Sequence, residues 1–109
     1  MAEQFDLLYL ENNPYYTYNT TLGRVAYNIT MRFSNRERCW YMDIRTRDNV
    51  PVILSVKLVP NYPMLEGYQL GELTGYLLLF STVPSNIYKI ETEPENIADY
   101  FQLVYVYQS

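Results

Sequence analysis

Histidine is absent from this 109-residue chain, and with it the commonest general base and the commonest metal ligand. No Ser-His-Asp or Cys-His site can be assembled. Cysteine occurs once, at Cys39, which excludes an internal disulfide and a thiolate zinc cluster. The four glycines form no phosphate-cradling pattern, and no D-x-[DN]-x-[DN]-G calcium loop occurs. No cofactor and no metal is expected. No apolar run approaches the roughly 20 residues that span a bilayer; the longest, Leu77-Leu78-Leu79-Phe80, suits a buried strand. Met1-Ala2-Glu3-Gln4 lacks the basic and apolar regions of a secretory signal. The sequons Asn19-Thr20-Thr21 and Asn28-Ile29-Thr30 therefore read as Thr-rich strands, not as glycosylation sites. Basic residues are few, 8 against 12 acidic for a net charge of −4, which argues against a general nucleic-acid binder.

What the chain does have is apolar bulk and tyrosine. Hydrophobic residues make up 49% and charged residues 18%, a composition that folds, at a length that fits one domain. The 13 tyrosines offer broad contact area with a polar tip, which suits protein or sugar surfaces.

From residue 15 onward the pattern is β. In 25–33, Val25, Tyr27, Ile29, Met31 and Phe33 alternate with Ala26, Asn28, Thr30 and Arg32, a period of two with one buried face. After polar 34–38, Trp40, Met42 and Ile44 alternate with Cys39, Tyr41, Asp43 and Arg45. A hairpin with Arg36-Glu37 at its tip sets Phe33 against Trp40, Met31 against Met42, Ile29 against Ile44 and Thr30 against Asp43; a one-residue slip would oppose apolar to polar throughout. Arg32 then lies diagonal to Asp43, within reach of an exposed ion pair worth about 0.2–1 kcal/mol.

Arg47-Asp48-Asn49 makes the next turn. Residues 50–59 form a strand with Val52, Leu54, Val56 and Leu58 on one face, 60–74 a long loop rich in Pro and Gly, and 75–82 a strand buried on both faces. In 83–93, Ile87, Tyr88 and Ile90 suit a short strand, while Thr92 suits the cap of a helical turn. Residues 100–107 close the chain as a strand with Phe101, Leu103, Tyr105 and Tyr107 on one face. The expected fold is all-β, a small antiparallel sandwich or barrel with one long loop and at most one short helical turn. Residues 1–14 read as an N-terminal arm and 15–109 as a single β-domain; Phe5, Leu7, Leu8 and Leu10 are apolar enough for the arm to dock on an adjacent subunit.

Catalytic candidates are thin. Glu91, Glu93 and Glu95 are local and read as a solvated acidic loop, whereas a glycosidase needs two carboxylates facing across a cleft. Asp43 reads as a salt-bridge or turn-anchoring residue, and Trp40 as core in preference to a sugar platform. Charge is segregated: residues 1–23 carry −3, residues 24–57 carry +4 and residues 58–109 carry −5. Arg32, Arg36, Arg38, Arg45 and Arg47 fall on one hairpin and its ends, either as an ordinary soluble surface or as a basic edge that docks an acidic patch on a neighbour. Tyr15, Tyr16 and Tyr18 suit an interface or an edge strand.

The run Tyr27-Asn28-Ile29-Thr30-Met31-Arg32-Phe33, a short polar turn and Trp40-Tyr41-Met42-Asp43-Ile44 resembles a family of small phage tail proteins, the baseplate plug of contractile-tailed phages of the cyanophage type. In that family a strand ending in an aromatic precedes one reading W-x-x-D-I or W-x-L-D-I. The resemblance covers about residues 15–80, with Asp48-Asn49 where the family usually has Asp-Gly. It implies a non-enzymatic virion protein of the tail-tip baseplate, made in the host cytoplasm, in which Trp40 and Asp43 are fold determinants. Its implied partners are tube, hub, spike or wedge proteins and further copies in a ring or symmetric set, with neither nucleic acid nor membrane. Interface residues on this reading are Tyr15, Tyr16, Tyr18, Arg36, Arg38, Tyr105 and Tyr107. The alternative is a carbohydrate- or receptor-binding β-module using surface aromatics; a small carboxylate enzyme is the third.

Overall fold

A computed structural model describes residues 3–66 and 73–108. Seven strands run in the order β1 (Glu3–Leu8), β2 (Tyr15–Leu22), β3 (Val25–Ser34), β4 (Cys39–Thr46), β5 (Pro51–Lys57), β6 (Tyr76–Ser81) and β7 (Phe101–Gln108). They form two antiparallel sheets, β2-β3-β4-β5 and β1-β7-β6. Neither sheet closes on itself, so the fold is a sandwich and not a barrel.

The β3–β4 register is the one the alternation predicts: Phe33 pairs with Trp40, Met31 with Met42, Ile29 with Ile44 and Thr30 with Asp43. The tip is longer than two residues. Pairing ends at Ser34 and Cys39, and the Arg38 amide donates to the Ser34 carbonyl at 2.7 Å with Arg38 left-handed, φ 57°. Gly23 and Arg24 both take positive φ in the two-residue β2–β3 turn, as a type I′ turn requires. Asn49, φ 65°, takes the left-handed position of the β4–β5 turn, which asparagine tolerates better than other side chains bearing a Cβ.

Tyr27, Ile29, Met31, Trp40, Met42 and Ile44 meet Leu77, Leu79, Phe101, Leu103 and Tyr105 in the core between the sheets. Four sequence expectations give way. In β5, Leu54 and Ser55 together stand opposite Asp43, between the pairs Ile44–Ile53 and Met42–Val56. That bulge, with Ser55 at φ 59°, adds one residue and moves Leu54 out to solvent. The segment 84–100 is more helical than one turn, with 3-10 turns at Pro84–Asn86 and Pro94–Asn96 and single turns α1 (Lys89–Thr92) and α2 (Ile97–Tyr100). The prolines open the 3-10 turns, where a missing N–H costs nothing, and Thr92 ends α1 instead of capping it. The expected arm contains β1, which pairs with the chain's own β7 and buries Leu8. β6 buries Leu77 and Leu79 but leaves Tyr76, Leu78 and Phe80 half-exposed, so only one of its faces is covered.

The expected loop 60–74 is described in part; Gly67, Tyr68 and Gly71 lie outside the described residues. Its first half runs along β6 through bridges from Pro60 to Leu79 and from Met64 to Leu77. Gly75 is required by a close approach, since a Cβ there would lie 2.0 Å from the Val106 carbonyl oxygen.

Candidate interaction surfaces

Asp43 sits in mid-strand on the outer face of the four-stranded sheet, yet is buried. Arg32 Nε and an Arg32 terminal nitrogen donate to its two oxygens at 3.1 and 3.0 Å. The Ser55 amide, freed by the bulge, donates to Oδ1 at 2.7 Å. Burial pushes the carboxyl pKa up, but the Arg32 bonds, the Ser55 amide and the Arg32 and Arg45 charges outweigh it, holding the pKa below the ordinary carboxylate value. The diagonal Arg32–Asp43 pair is thus two-pronged and tied to backbone, not the loose exposed pair expected.

Trp40 is enclosed. Its indole N–H donates to the Pro94 carbonyl at 2.6 Å, and its ring packs against Phe33 and Tyr16. The ring is therefore unavailable to a sugar.

The basic hairpin is partly neutralised by the chain's own acids. Arg38 pairs with Glu95 at 2.7 Å and lies over the Phe33 ring. Arg32 and Arg45 both face Asp43. Arg36, exposed at the tip, and Arg47 have no ion pair among the described residues. The acidic segment is likewise engaged. Lys89 donates to Glu93 at 2.5 Å, raising the lysine pKa and lowering that of the glutamate, and Asn96 and Tyr100 donate to Glu93 as well. Glu93 and Glu95 are thus paired within the fold while still partly exposed, and Glu91 is exposed, as expected of a solvated acidic loop.

The tyrosines divide differently from the sequence expectation. Tyr15 is exposed at the start of β2. Tyr16 and Tyr18 stack on each other, with Tyr9 edge-on against both; burial pushes the Tyr16 hydroxyl up to about 12 and raises that of Tyr18 as well. Tyr105 leaves the candidate surface altogether: it is 1% exposed, because position 105 faces the opposing sheet. Its hydroxyl accepts the Gly75 N–H at 2.8 Å. Tyr107 stacks on Tyr105 at the end of the strand and is half-buried. Tyr15, Arg36 and Arg38 therefore remain as exposed candidates, while Tyr16, Tyr18 and Tyr107 present only part of their surface.

Sequence reasoning named Phe5 and Leu7 as apolar enough to dock but missed that they belong to the outer face of the three-stranded sheet. Phe5 and Leu7 on β1 lie there, 64% and 67% exposed. The signal was the apolar alternation of Phe5 and Leu7, which continues onto Val104 and Val106 once β1 is paired with β7.

A protein-family model described as the cyanophage baseplate Pam3 plug gp18 matches residues 5–108. No curated protein matches the chain.

Proposed function

We propose, from the premise that this chain belongs to the cyanophage baseplate plug family, that it works at the tail tip by contact with hub, tube, spike or wedge proteins and without catalysis. A structural role in the tail baseplate follows from the family, whose model takes in both sheets and the helical connection between β6 and β7. Match over residues 5–108 is the observation that carries the reading.

The side-chain chemistry supports it. Asp43, Glu93 and Glu95 are each held by a basic partner of the same fold, which leaves them positioned to brace the sandwich. Tyr15 and the tip residue Arg36 stand free for contact, with Arg38 tied to Glu95 beside them. Further copies would form a ring or symmetric set, and the protein would be made in the host cytoplasm before incorporation.

Quantitative mass spectrometry of purified tails tests this reading. The protein is expected at a fixed ratio to the tube and hub proteins. Its presence in infected-cell lysate but not in washed tails would contradict a virion role. Charge reversal by Arg36→Glu is expected to lower its incorporation while leaving the melting temperature of the isolated chain unchanged.

A further inference from the structure

The two sheets have four edge strands, β2 and β5 in one and β1 and β6 in the other. An open edge recruits another chain unless something blocks it. Three of the four carry a block. β5 has Pro51 and the bulge between its Ile53 and Val56 pairs. β6 is bridged by Pro60 and Met64 of the preceding loop. β1 turns Asp6 inward, where its carboxylate accepts the Gly23 N–H at 2.9 Å, and an inward-pointing charge guards an edge. β2 has none of these. Its eight residues include no proline and no charged side chain, and they pair with β3 without a shift in register.

Across the two-residue turn Leu22 and Val25 exchange backbone bonds, so Thr20, Tyr18 and Tyr16 do the same with Tyr27, Ile29 and Met31. The Phe33 amide, donating to the Pro14 carbonyl at 2.7 Å, continues the series. The residues in between therefore direct N–H and C=O away from β3. The Tyr15 N–H is taken by Asn13 Oδ1 at 3.2 Å. Thr17, Asn19 and Thr21, spaced about 7 Å apart, keep both backbone groups unbonded among the described residues.

We propose that this edge takes an added strand from another baseplate protein, an inference that rests on the baseplate reading above. A row of donors and acceptors at that spacing is matched by an extended chain and not by a helix or a compact loop. The flanking side chains set the character of that chain. On the core side of β2, Tyr16 and Tyr18, with Tyr9 edge-on to both, suit apolar side chains at alternate positions. On the outer side, exposed Thr17 and Asn19 suit polar ones. Arg24, exposed in the turn that ends the strand, has no ion pair among the described residues, so an acidic residue belongs at that end of the segment. β2 of a second copy has no acid to place there, which favours a different protein.

A proline on this edge removes an outward N–H and leaves the bonds to β3 in place. Asn19→Pro is expected to lower incorporation into purified tails by about tenfold or more, read by quantitative mass spectrometry against wild type. The melting temperature of the isolated variant should stay within about 5 °C of wild type; Thr17→Pro serves if Asn19→Pro does not fold. Asn19→Thr changes the side chain but keeps the backbone, and is expected to incorporate normally. Arg24→Glu is expected to lower incorporation by about threefold. Hydrogen exchange of the wild-type chain needs no variant: amides of 15–22 are expected to exchange more slowly in tails than in the isolated chain. Unchanged exchange, or normal incorporation of a folded proline variant, overturns the added strand and leaves the baseplate role standing. Absence of wild type from the tails overturns both. A loss with Asn19→Thr equal to that with Asn19→Pro assigns the contact to the side chain and overturns the proposal. So does an isolated wild-type chain that sediments as a dimer and reverts to monomer with Asn19→Pro.

Discussion

At Asp43 a carboxylate 6% exposed accepts two guanidinium bonds and one backbone amide. An asparagine there keeps one acceptor oxygen but turns an NH2 donor toward one of these donors and removes the charge opposite Arg32. Asp43→Asn is therefore expected to cost about 2–4 kcal/mol in urea unfolding at pH 7. The pH dependence has a definite sign. The folded-state pKa lies below the ordinary one, so the stabilisation is fully present above about pH 4 and is lost as pH falls through the lower folded value. The gap between wild type and Asp43→Asn should narrow from pH 5 toward about pH 2; a gap constant across that range would show that the carboxylate charge contributes nothing. Sequence showed that Asp43 was near Arg32, because the hairpin register put them on one diagonal. It did not show the burial, which comes from a bulge on the next strand.

Among the elements, the β3–β4 hairpin was legible because both strands keep period two and a slip in register would misplace every side chain. β5 was not legible in the same way. One left-handed serine inserts a residue without leaving a glycine or proline to mark it, so Ile53 takes the place opposite Ile44 that the simple alternation gives to Leu54, and a second register shift follows before Pro51 pairs with Arg45. The segment 84–100 escaped for another reason: turns of three or four residues are too short to show a helical period. The β4–β5 turn gives an element-scale prediction. Asn49 holds φ 65° and accepts a bond from the Asn28 side chain at 2.7 Å. Asn49→Gly keeps the conformation and is expected to change thermal stability by less than about 0.5 kcal/mol, while Asn49→Val should cost about 1–2 kcal/mol. Equal losses in the two variants would mean that the left-handed backbone is not what asparagine supplies there.

For the whole molecule, sequence revealed a charge division but not its fate. The +4 region and the acidic segment that follows it meet within one fold where Glu95 takes Arg38, while Asp43, inside the basic region itself, takes Arg32 and Arg45. Less of the basic hairpin is thus free for a partner than the linear pattern suggested. On the other sheet Phe5 and Leu7 of β1 are exposed, with Tyr76, Leu78 and Phe80 of β6 half-exposed on the same side, in strands that single-strand patterns assigned to an arm or to a buried core. Only the pairing of these strands brings them onto one face. Cryo-electron microscopy of the intact tail baseplate tests the account most directly. It should show the two-sheet fold at the tail tip, in contact with other baseplate proteins. A complete tail-tip density with no place for a β1-β7-β6 sheet stacked on a β2-β3-β4-β5 sheet would contradict it.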